Sequence, residues 1–139
     1  MSKDKKAGLI PYFFNEEKGA YEYLMMISSN AAFGGPDPMI SKGGQDFGED
    51  TLTTAVREAR EELGLKVENL ADHPRRLTEK SYKNYRLTVY FAPVISKHDF
   101  GEFCYETRET RWMTLDEFVK EGREDHLIFI QDLDNLLTQ

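Results

Sequence analysis

The hydrophobic pattern at the start of the chain predicts two β-strands. An apolar, aromatic run (AGLIPYFFN, residues 7–15) precedes the turn-like EEKG, and a similar run follows (AYEYLMMISS, residues 20–29). Runs of this length that are rich in strand-forming residues and bounded by turn residues are typical of strands. We therefore expect two strands joined by a short connection.

The next part of the chain predicts a loop and then a helix. Residues 30–50 are rich in Gly and Pro and should be irregular, with a short strand around MIS (residues 39–41). From Asp50 to Leu63 the apolar residues recur at helical spacing, and Gly64 is suited to end the helix. The N-cap is Asp50 or Thr51. The expected apolar stripe consists of Leu52, Ala55, Val56, Ala59 and Leu63.

The C-terminal half predicts a hairpin, a further strand and two helices. Residues 75–96 form the hairpin around YKNY, residues 110–122 a strand and a capped helix, and residues 125–138 an amphipathic helix. In the second arm of the hairpin, alternation places Leu87, Val89 and Phe91 on one face. The order of elements indicates an α/β (α+β) fold, in which helices pack on a central sheet.

Length and composition are those of one globular domain over residues 1–139. The chain is 40% hydrophobic and 31% charged, and its sequence contains neither an apolar run of membrane-spanning length nor a secretory signal. The single Cys104 cannot form an internal disulfide. We therefore expect a cytoplasmic location and no membrane partner.

The formal net charge of −7 argues against a protein that binds long nucleic acids. Such binding depends on Lys and Arg side chains that replace the counterions of the phosphates. A small phosphorylated ligand remains possible, because a divalent cation can lie between it and an acidic surface.

Three carboxylates crowd the end of the predicted helix. Glu58, Glu61 and Glu62 stand at positions i, i+3 and i+4 and therefore repel one another. We expect them on a face that points away from the core. This face is either a solvated surface partly neutralised by Arg57 and Arg60, or a site for a divalent cation such as Mg²⁺ or Mn²⁺.

The spacing upstream of these carboxylates favours the metal site. The stretch GGQDFGEDTLTTAVREAREELGL (residues 43–65) resembles the signature of the Nudix hydrolases, and only Ala59 departs from it mildly, where a larger aliphatic residue is usual. The resemblance implies an α/β/α sandwich with a mixed central sheet and helices on both faces. The residues that match the signature are Gly43, Glu49, Arg57, Glu58, Glu61, Glu62, Gly64 and Leu65.

The resemblance implies a role for each matching residue. Glu58, Glu61 and Glu62 become ligands of Mg²⁺, for which Mn²⁺ is a possible substitute, and a carbonyl of Lys42 or Gly43 is a further candidate ligand. Glu49 and Arg57 form a supporting pair, and Arg57 is also a candidate catalytic residue. The implied reaction is the metal-assisted hydrolysis of a phosphoanhydride.

A further carboxylate is expected from the region before the last strand. Many Nudix enzymes have a loop Glu a few residues before a Trp that Trp112 resembles. Glu106 is the first choice for this metal ligand or general base, and Glu109 is the second. The candidates for the base are therefore Glu58, Glu61 and Glu106.

The substrate is expected to be a small nucleotide. Tyr82 follows the signature at a distance similar to that of a Tyr in Nudix hydrolases of dinucleoside polyphosphates, and Lys80 and Lys83 flank it. Phe33 is a candidate stacking ring. Diadenosine tetraphosphate is the leading substrate, and the alternatives are an RNA 5′ end, a nucleoside triphosphate, or an inactive ligand-sensing domain. The protein is expected to be a monomer or a homodimer.

Overall fold

A mixed six-stranded β-sheet forms the centre of the protein, seen in a computed structural model that describes residues 4–139. The strand order is β4-β5-β1-β2-β6, and β3 also pairs with β1. The strands are β1 (Asp4–Asn15), β2 (Ala20–Ser28), β3 (Ser41–Gly44), β4 (Arg75–Ser81), β5 (Tyr85–Pro93) and β6 (Thr107–Met113).

The long strand β1 organises the sheet. One of its edges pairs in parallel with β5 along most of its length, while the other edge is shared between two antiparallel partners. Residues 6–9 pair with β3 and residues 12–15 pair with β2. The short strand β3 is thus held to the sheet by its antiparallel pairing with β1.

Three helices cover the two faces of the sheet, namely α1 (Thr51–Leu63), α2 (Leu115–Glu121) and α3 (Leu127–Leu137). The α1 face is packed by Leu9, Leu24 and Met26, and the α2–α3 face by Ile10, Met25 and Val89. The expected α/β fold with helices on both faces is confirmed. Within residues 4–139, no helix is long and apolar enough to cross a membrane.

Most of the predicted elements are present, with small shifts. Asp50 is the N-cap of α1 and accepts a hydrogen bond from the backbone of Thr53, and Gly64 ends the helix at φ 70°. The hairpin of β4 and β5 is present, and Leu87, Val89 and Phe91 share its buried face. The short strand expected at residues 39–41 lies instead at Ser41–Gly44, while Met39 forms only an isolated bridge to Met26.

The buried side of α1 differs from the predicted stripe. Ala55, Ala59 and Leu63 are buried as expected, whereas Leu52 is 37% exposed and Val56 is half-buried. The helix is rotated so that Glu58 and Glu62 face the sheet, with exposures of only 9% and 7%. The prediction that these carboxylates point away from the core was therefore wrong for both residues.

Candidate active site

The close approach of α1 to β3 is possible because residue 43 is glycine. A Cβ atom built on Gly43 would lie 2.2 Å from Cδ of Glu58, well inside any allowed contact. The Glu58 carboxylate therefore occupies the space that a side chain at position 43 would fill. A Cβ atom on the neighbouring Gly44 would meet nothing within 4 Å.

Glu62 is held against the same strand by hydrogen bonds. Its Oε1 accepts from Oγ of Ser41 at 3.0 Å and from the backbone N of Lys42 at 2.9 Å. Burial, reinforced by the charge of Glu58, raises the pKa of Glu62 to about 8. A buried carboxyl with this pKa binds a proton or a cation readily.

Glu58 shares this environment. Burial raises its pKa, the adjacent Arg57 opposes that rise, and the charges of Glu61 and Glu106 add to it. Glu106 is thus close enough to Glu58 for its negative charge to raise that pKa. Glu61 differs from its neighbours, since its side chain is 49% exposed and reaches Nη1 of Arg57 at 3.4 Å.

Arg57 links the loop before α1 to the helix. Its guanidinium contacts both carboxylate oxygens of Glu49, at 2.8 and 3.0 Å, and donates to the carbonyl oxygen of Gly44 at 2.9 Å. A third contact, at 2.9 Å, joins it to Glu58. Its hydrogen bonds lower the pKa of Glu49 to about 2. The pair that the resemblance implies is thus present, and it fixes the shape of the loop.

The loop that carries Glu106 is attached to the C-terminal end of α1. Backbone N atoms of Gly101 and Cys104 donate to the carbonyl oxygens of Gly64 and Glu61, at 2.7 and 2.6 Å. Oγ1 of Thr107 donates to the Glu62 carbonyl at 2.9 Å. These bonds satisfy carbonyls that a helix leaves unpaired at its end.

Glu106 and Glu109 lie in different surroundings. The backbone carbonyl of Glu106 accepts from Ser29 N at 2.8 Å, and among residues 4–139 no donor bonds the Glu106 carboxylate. The Glu109 carboxylate is in contact with Arg108 and Arg111, at 3.3 and 3.2 Å. Only Glu106 therefore combines a free carboxylate with proximity to Glu58.

The chemistry of these donors fits a hard divalent cation. Carboxylate oxygens and a glycine-rich backbone are the ligands that Mg²⁺ and Mn²⁺ prefer, and two of the carboxylates are buried close to like charges. Within the described chain, however, no three acidic, His or Cys side chains are already arranged around one point as ligands. Arg57 occupies oxygens of Glu58 and Glu61 that a cation would take.

On the opposite face of β3 lies a cluster of aromatic and basic side chains. Because side chains alternate along a strand, Lys42 points away from Glu62. Its Nζ lies 5.8 Å from the centre of the Tyr85 ring, and Nζ of Lys6 lies 4.4 Å from it. Burial lowers the pKa of Lys42 to about 8. Tyr82 stacks on Tyr85 with ring centroids 4.9 Å apart.

Among the predicted substrate residues, Tyr82 belongs to this cluster, but Lys80 and Lys83 lie exposed at the end of β4 and in the hairpin turn. The cations beside the aromatic pair are instead Lys6 and Lys42. Of these two, only Lys42 was predicted as a site residue. Lys42 was a candidate through its carbonyl, and Lys6 stands far away in the sequence. Their proximity depends on the pairing of β1 with both β3 and β5.

Two residues near the cluster were not anticipated as part of a site. Arg123 contacts Asp125 at 2.6 and 3.0 Å, and its positive charge contributes to the lowered pKa of Lys42. His126 is fully buried and its Nδ1 accepts from Ile40 N at 3.1 Å, which ties α3 to the strand that leads into β3. Its burial lowers its pKa to about 3. His73 and His98 are exposed.

A second aromatic pair lies beside the Glu106 loop. Phe33 meets Tyr105 edge to face, with ring centroids 5.8 Å apart, and Tyr105 remains 78% exposed. The sequence pointed to Phe33 alone. Tyr105 joins it because the hydrogen bond from Ser29 N to the Glu106 carbonyl connects the two loops.

Comparisons with known proteins agree with this architecture. The NUDIX domain profile matches residues 6–133. The chain is 28% identical to Nudix hydrolase 16, mitochondrial, of Arabidopsis thaliana, over 84% of this chain and 71% of that protein. It is 29% identical to the asymmetrical bis(5′-nucleosyl)-tetraphosphatase of Rattus norvegicus, over 69% of this chain and 66% of that enzyme.

A solved structure shows the same fold. The Ap4A hydrolase of C. elegans, crystallised as a binary complex, superposes with a TM-score of 0.78 at 22% identity, covering 97% of this chain and 98% of that chain. The chain belongs to the Nudix family. It is a hydrolase of the class that acts on pyrophosphate bonds, and members of this family generally use divalent metal ions.

We predict that Gly43→Ala weakens Mn²⁺ binding by roughly 10–100-fold, because the new Cβ displaces the Glu58 carboxylate. Gly44→Ala is the matched control, and it should bind Mn²⁺ like the wild type since its Cβ meets nothing. The measurement is the free Mn²⁺ signal in electron paramagnetic resonance during a titration. Equal affinities for the two variants would contradict the role given to Gly43.

We also predict that the metal-free protein loses stability as the pH rises from 6.5 to 8. Glu62 has a folded pKa of about 8, above its value in the unfolded chain, so the folded state binds more protons than the unfolded state across this interval. The loss in the free energy of unfolding should be about 1–2 kcal/mol. His126 and Lys42, whose pKa values are lowered to about 3 and about 8, act in the opposite direction at the two ends of this interval, so the Glu62→Gln variant is needed to isolate the contribution of Glu62.

The measurement is urea unfolding in the presence of EDTA at the two ends of the interval. Glu62→Gln has no charge to bury, so its stability should depend much less on pH over the same range. A wild-type protein that is equally stable at both pH values would argue against a protonated Glu62.

Proposed function

We propose that the protein is a Mg²⁺-dependent pyrophosphohydrolase that cleaves dinucleoside polyphosphates such as diadenosine tetraphosphate. The observation that carries the proposal is the arrangement around β3, where buried carboxylates lie on one face and an aromatic, basic cluster lies on the other. The similarity to the rat tetraphosphatase supports the same substrate class.

The carboxylates provide the reaction centre. We place Mg²⁺ among Glu58, Glu61, Glu62 and Glu106, with backbone oxygen of Lys42 or Gly43 as a further ligand. Bound there, the cation would neutralise the phosphate oxygens and stabilise the leaving phosphate. Ser41 and Lys42 hold Glu62 through Oε1 alone, which leaves Oε2 for a cation, whereas at Glu58 and Glu61 a cation would compete with Arg57.

Glu106 is our choice for the general base. Arg57 binds Glu58, and Ser41 and Lys42 bind Glu62, so both carboxylates are held against β3, whereas no residue within 4–139 binds the Glu106 carboxylate. Glu106 approaches from a separate loop and keeps its oxygens available. A base in this position accepts the proton of the water that attacks phosphorus.

The Tyr82–Tyr85 pair is the proposed site for one base of the substrate. The rings are already stacked, and Tyr82 is fixed by the hydrogen bond from its hydroxyl to the Asp125 carbonyl at 2.7 Å. Lys6 and Lys42 adjoin the Tyr85 ring and offer positive charge to a phosphate chain. In a protein of net charge −7, such a local cluster of cations attracts an anion to one place.

The second base has a candidate platform at Phe33 and Tyr105. The buried Met39 lies next to both Gly34 and Arg123, because a Cβ on Gly34 would lie 2.8 Å from its Cε and Nη1 of Arg123 lies 3.8 Å from its sulfur. Two aromatic pairs suit a substrate that has a base at each end of a polyphosphate. A nucleoside triphosphate would use only one pair.

The experiment is a chromatographic assay of the hydrolysis products in Mg²⁺ with a panel of substrates: diadenosine tetraphosphate, ATP, ADP-ribose and triphosphorylated RNA. We expect the highest kcat/KM for diadenosine tetraphosphate, and no turnover in EDTA. Preferential hydrolysis of ATP would identify a nucleoside-triphosphate-sanitising enzyme, and preference for RNA would identify a 5′-end pyrophosphohydrolase. Binding without any turnover would indicate a ligand-sensing domain.

A matched pair of variants tests the base. Glu106→Gln should lower kcat by about 10²–10⁴-fold, because glutamine cannot accept the proton. Glu109→Gln removes a carboxylate three positions further along that already pairs with arginines, and it should leave kcat close to wild type. Full activity in Glu106→Gln would instead indicate that Glu58 or Glu61 is the general base.

A further inference from the structure

A groove runs along the outer side of α1, away from the sheet. It has a volume of about 510 Å³, and its apolar lining includes Leu52, Val56, Leu65 and Val67. Leu52 and Val67 are 37% and 67% exposed. Leu65 belongs to the core, whereas Leu52 and Val67 present hydrophobic surface that the fold leaves exposed.

The charge of the groove is opposite to that of the whole protein. Its lining includes Arg60 and Lys66 but only one acidic residue, Glu68, while the third cation, Arg57, is already paired with carboxylates of its own chain. The chain as a whole has a net charge of −7. A partner suited to this groove therefore presents an apolar side chain surrounded by negative charge.

The loop before α1 has this combination. Phe47 is fully exposed, and its neighbours include Asp46, Glu49 and Asp50. The loop turns at Gly48, whose φ of 85° disfavours other residues. An aromatic ring held in solvent by a defined turn is unusual for a surface loop, since exposed apolar groups of this size mark interaction sites.

We propose that the groove binds the Phe47 loop of a second copy of this chain, in a twofold symmetric dimer whose α1 helices run antiparallel. In such a pair each contact occurs twice, because residue i of one copy meets residue j of the other and j meets i. We place Phe47 of one copy against the exposed Val67 of the other, and Asp46 beside its Lys66. Each copy then contributes one loop and one groove, and the interface closes on itself.

Charge and helix direction both favour this arrangement over a parallel one. The acidic loop of each copy meets the basic end of the groove of the other, next to Arg60 and Lys66. Antiparallel helices also bring the positive N-terminal end of one dipole beside the negative C-terminal end of the other. Arg57 is shared by the groove and the candidate active site, but the contacts of the dimer at Phe47, Asp46 and Lys66 do not depend on the proposed substrate.

The first test is sedimentation equilibrium of the full chain over micromolar to millimolar concentrations. We expect a mass that rises from that of the 16.1 kDa chain towards twice that value. Phe47→Ser should weaken self-association at least about tenfold, as the loss of a central aromatic contact does. Ile95→Ser, at another exposed apolar position outside the groove, is the control and should dimerise like the wild type.

A charge exchange tests the register. Lys66→Glu and Asp46→Lys should each weaken the dimer, and the double variant should recover most of its affinity because the pair re-forms with its signs reversed. All these positions are exposed, so the variants should fold. A protein that stays monomeric throughout, a dimer insensitive to Phe47→Ser, or a double variant no better than the single ones would overturn the proposal.

Discussion

The packing of two carboxylates against a short strand is the constraint on which the rest of the site depends. Glu58 takes the space beside Gly43, and Glu62 is fixed by Ser41 and the backbone of Lys42. Burying charged groups costs free energy unless they are paired or neutralised, and here the raised pKa of Glu62 is the visible consequence. A cation that binds these groups would relieve the same cost.

The C-terminal end of α1 extends this constraint to a distant part of the chain. Gly64 adopts a left-handed conformation, and a Cβ there would lie 2.0 Å from the carbonyl oxygen of Gly101. The unpaired carbonyls of the last turn accept hydrogen bonds from the loop that ends at β6. The same feature therefore ends the helix and brings Glu106 towards Glu58, although the two residues are far apart in the sequence.

Local pattern was enough to predict the elements, because caps, turns and alternation are properties of neighbouring residues. Asp50, Gly64 and the hairpin around residues 82–85 illustrate this. The direction in which α1 faces was not predictable in the same way. Ala55 and Ala59 are small enough to allow the helix to roll, and the roll was decided by Gly43, which lies outside the helix. Hydrophobic periodicity alone would have buried Leu52 instead.

The site was predictable only where one segment of the chain supplies it. The carboxylates of α1 and their Arg57 partner come from one continuous motif, whereas the cluster around Tyr85 is assembled from β1, β3 and β5 by strand pairing. The alternation of side chains along β3 separates opposite charges. Ser41 meets a carboxylate on one face, and Lys42 carries an ammonium group to the other. The opposite charges on the two faces of β3 create an electric field that runs across the edge of this strand. In the proposed function, a polyphosphate reaches from these cations to a metal among the carboxylates, and this local arrangement offsets the net charge of −7.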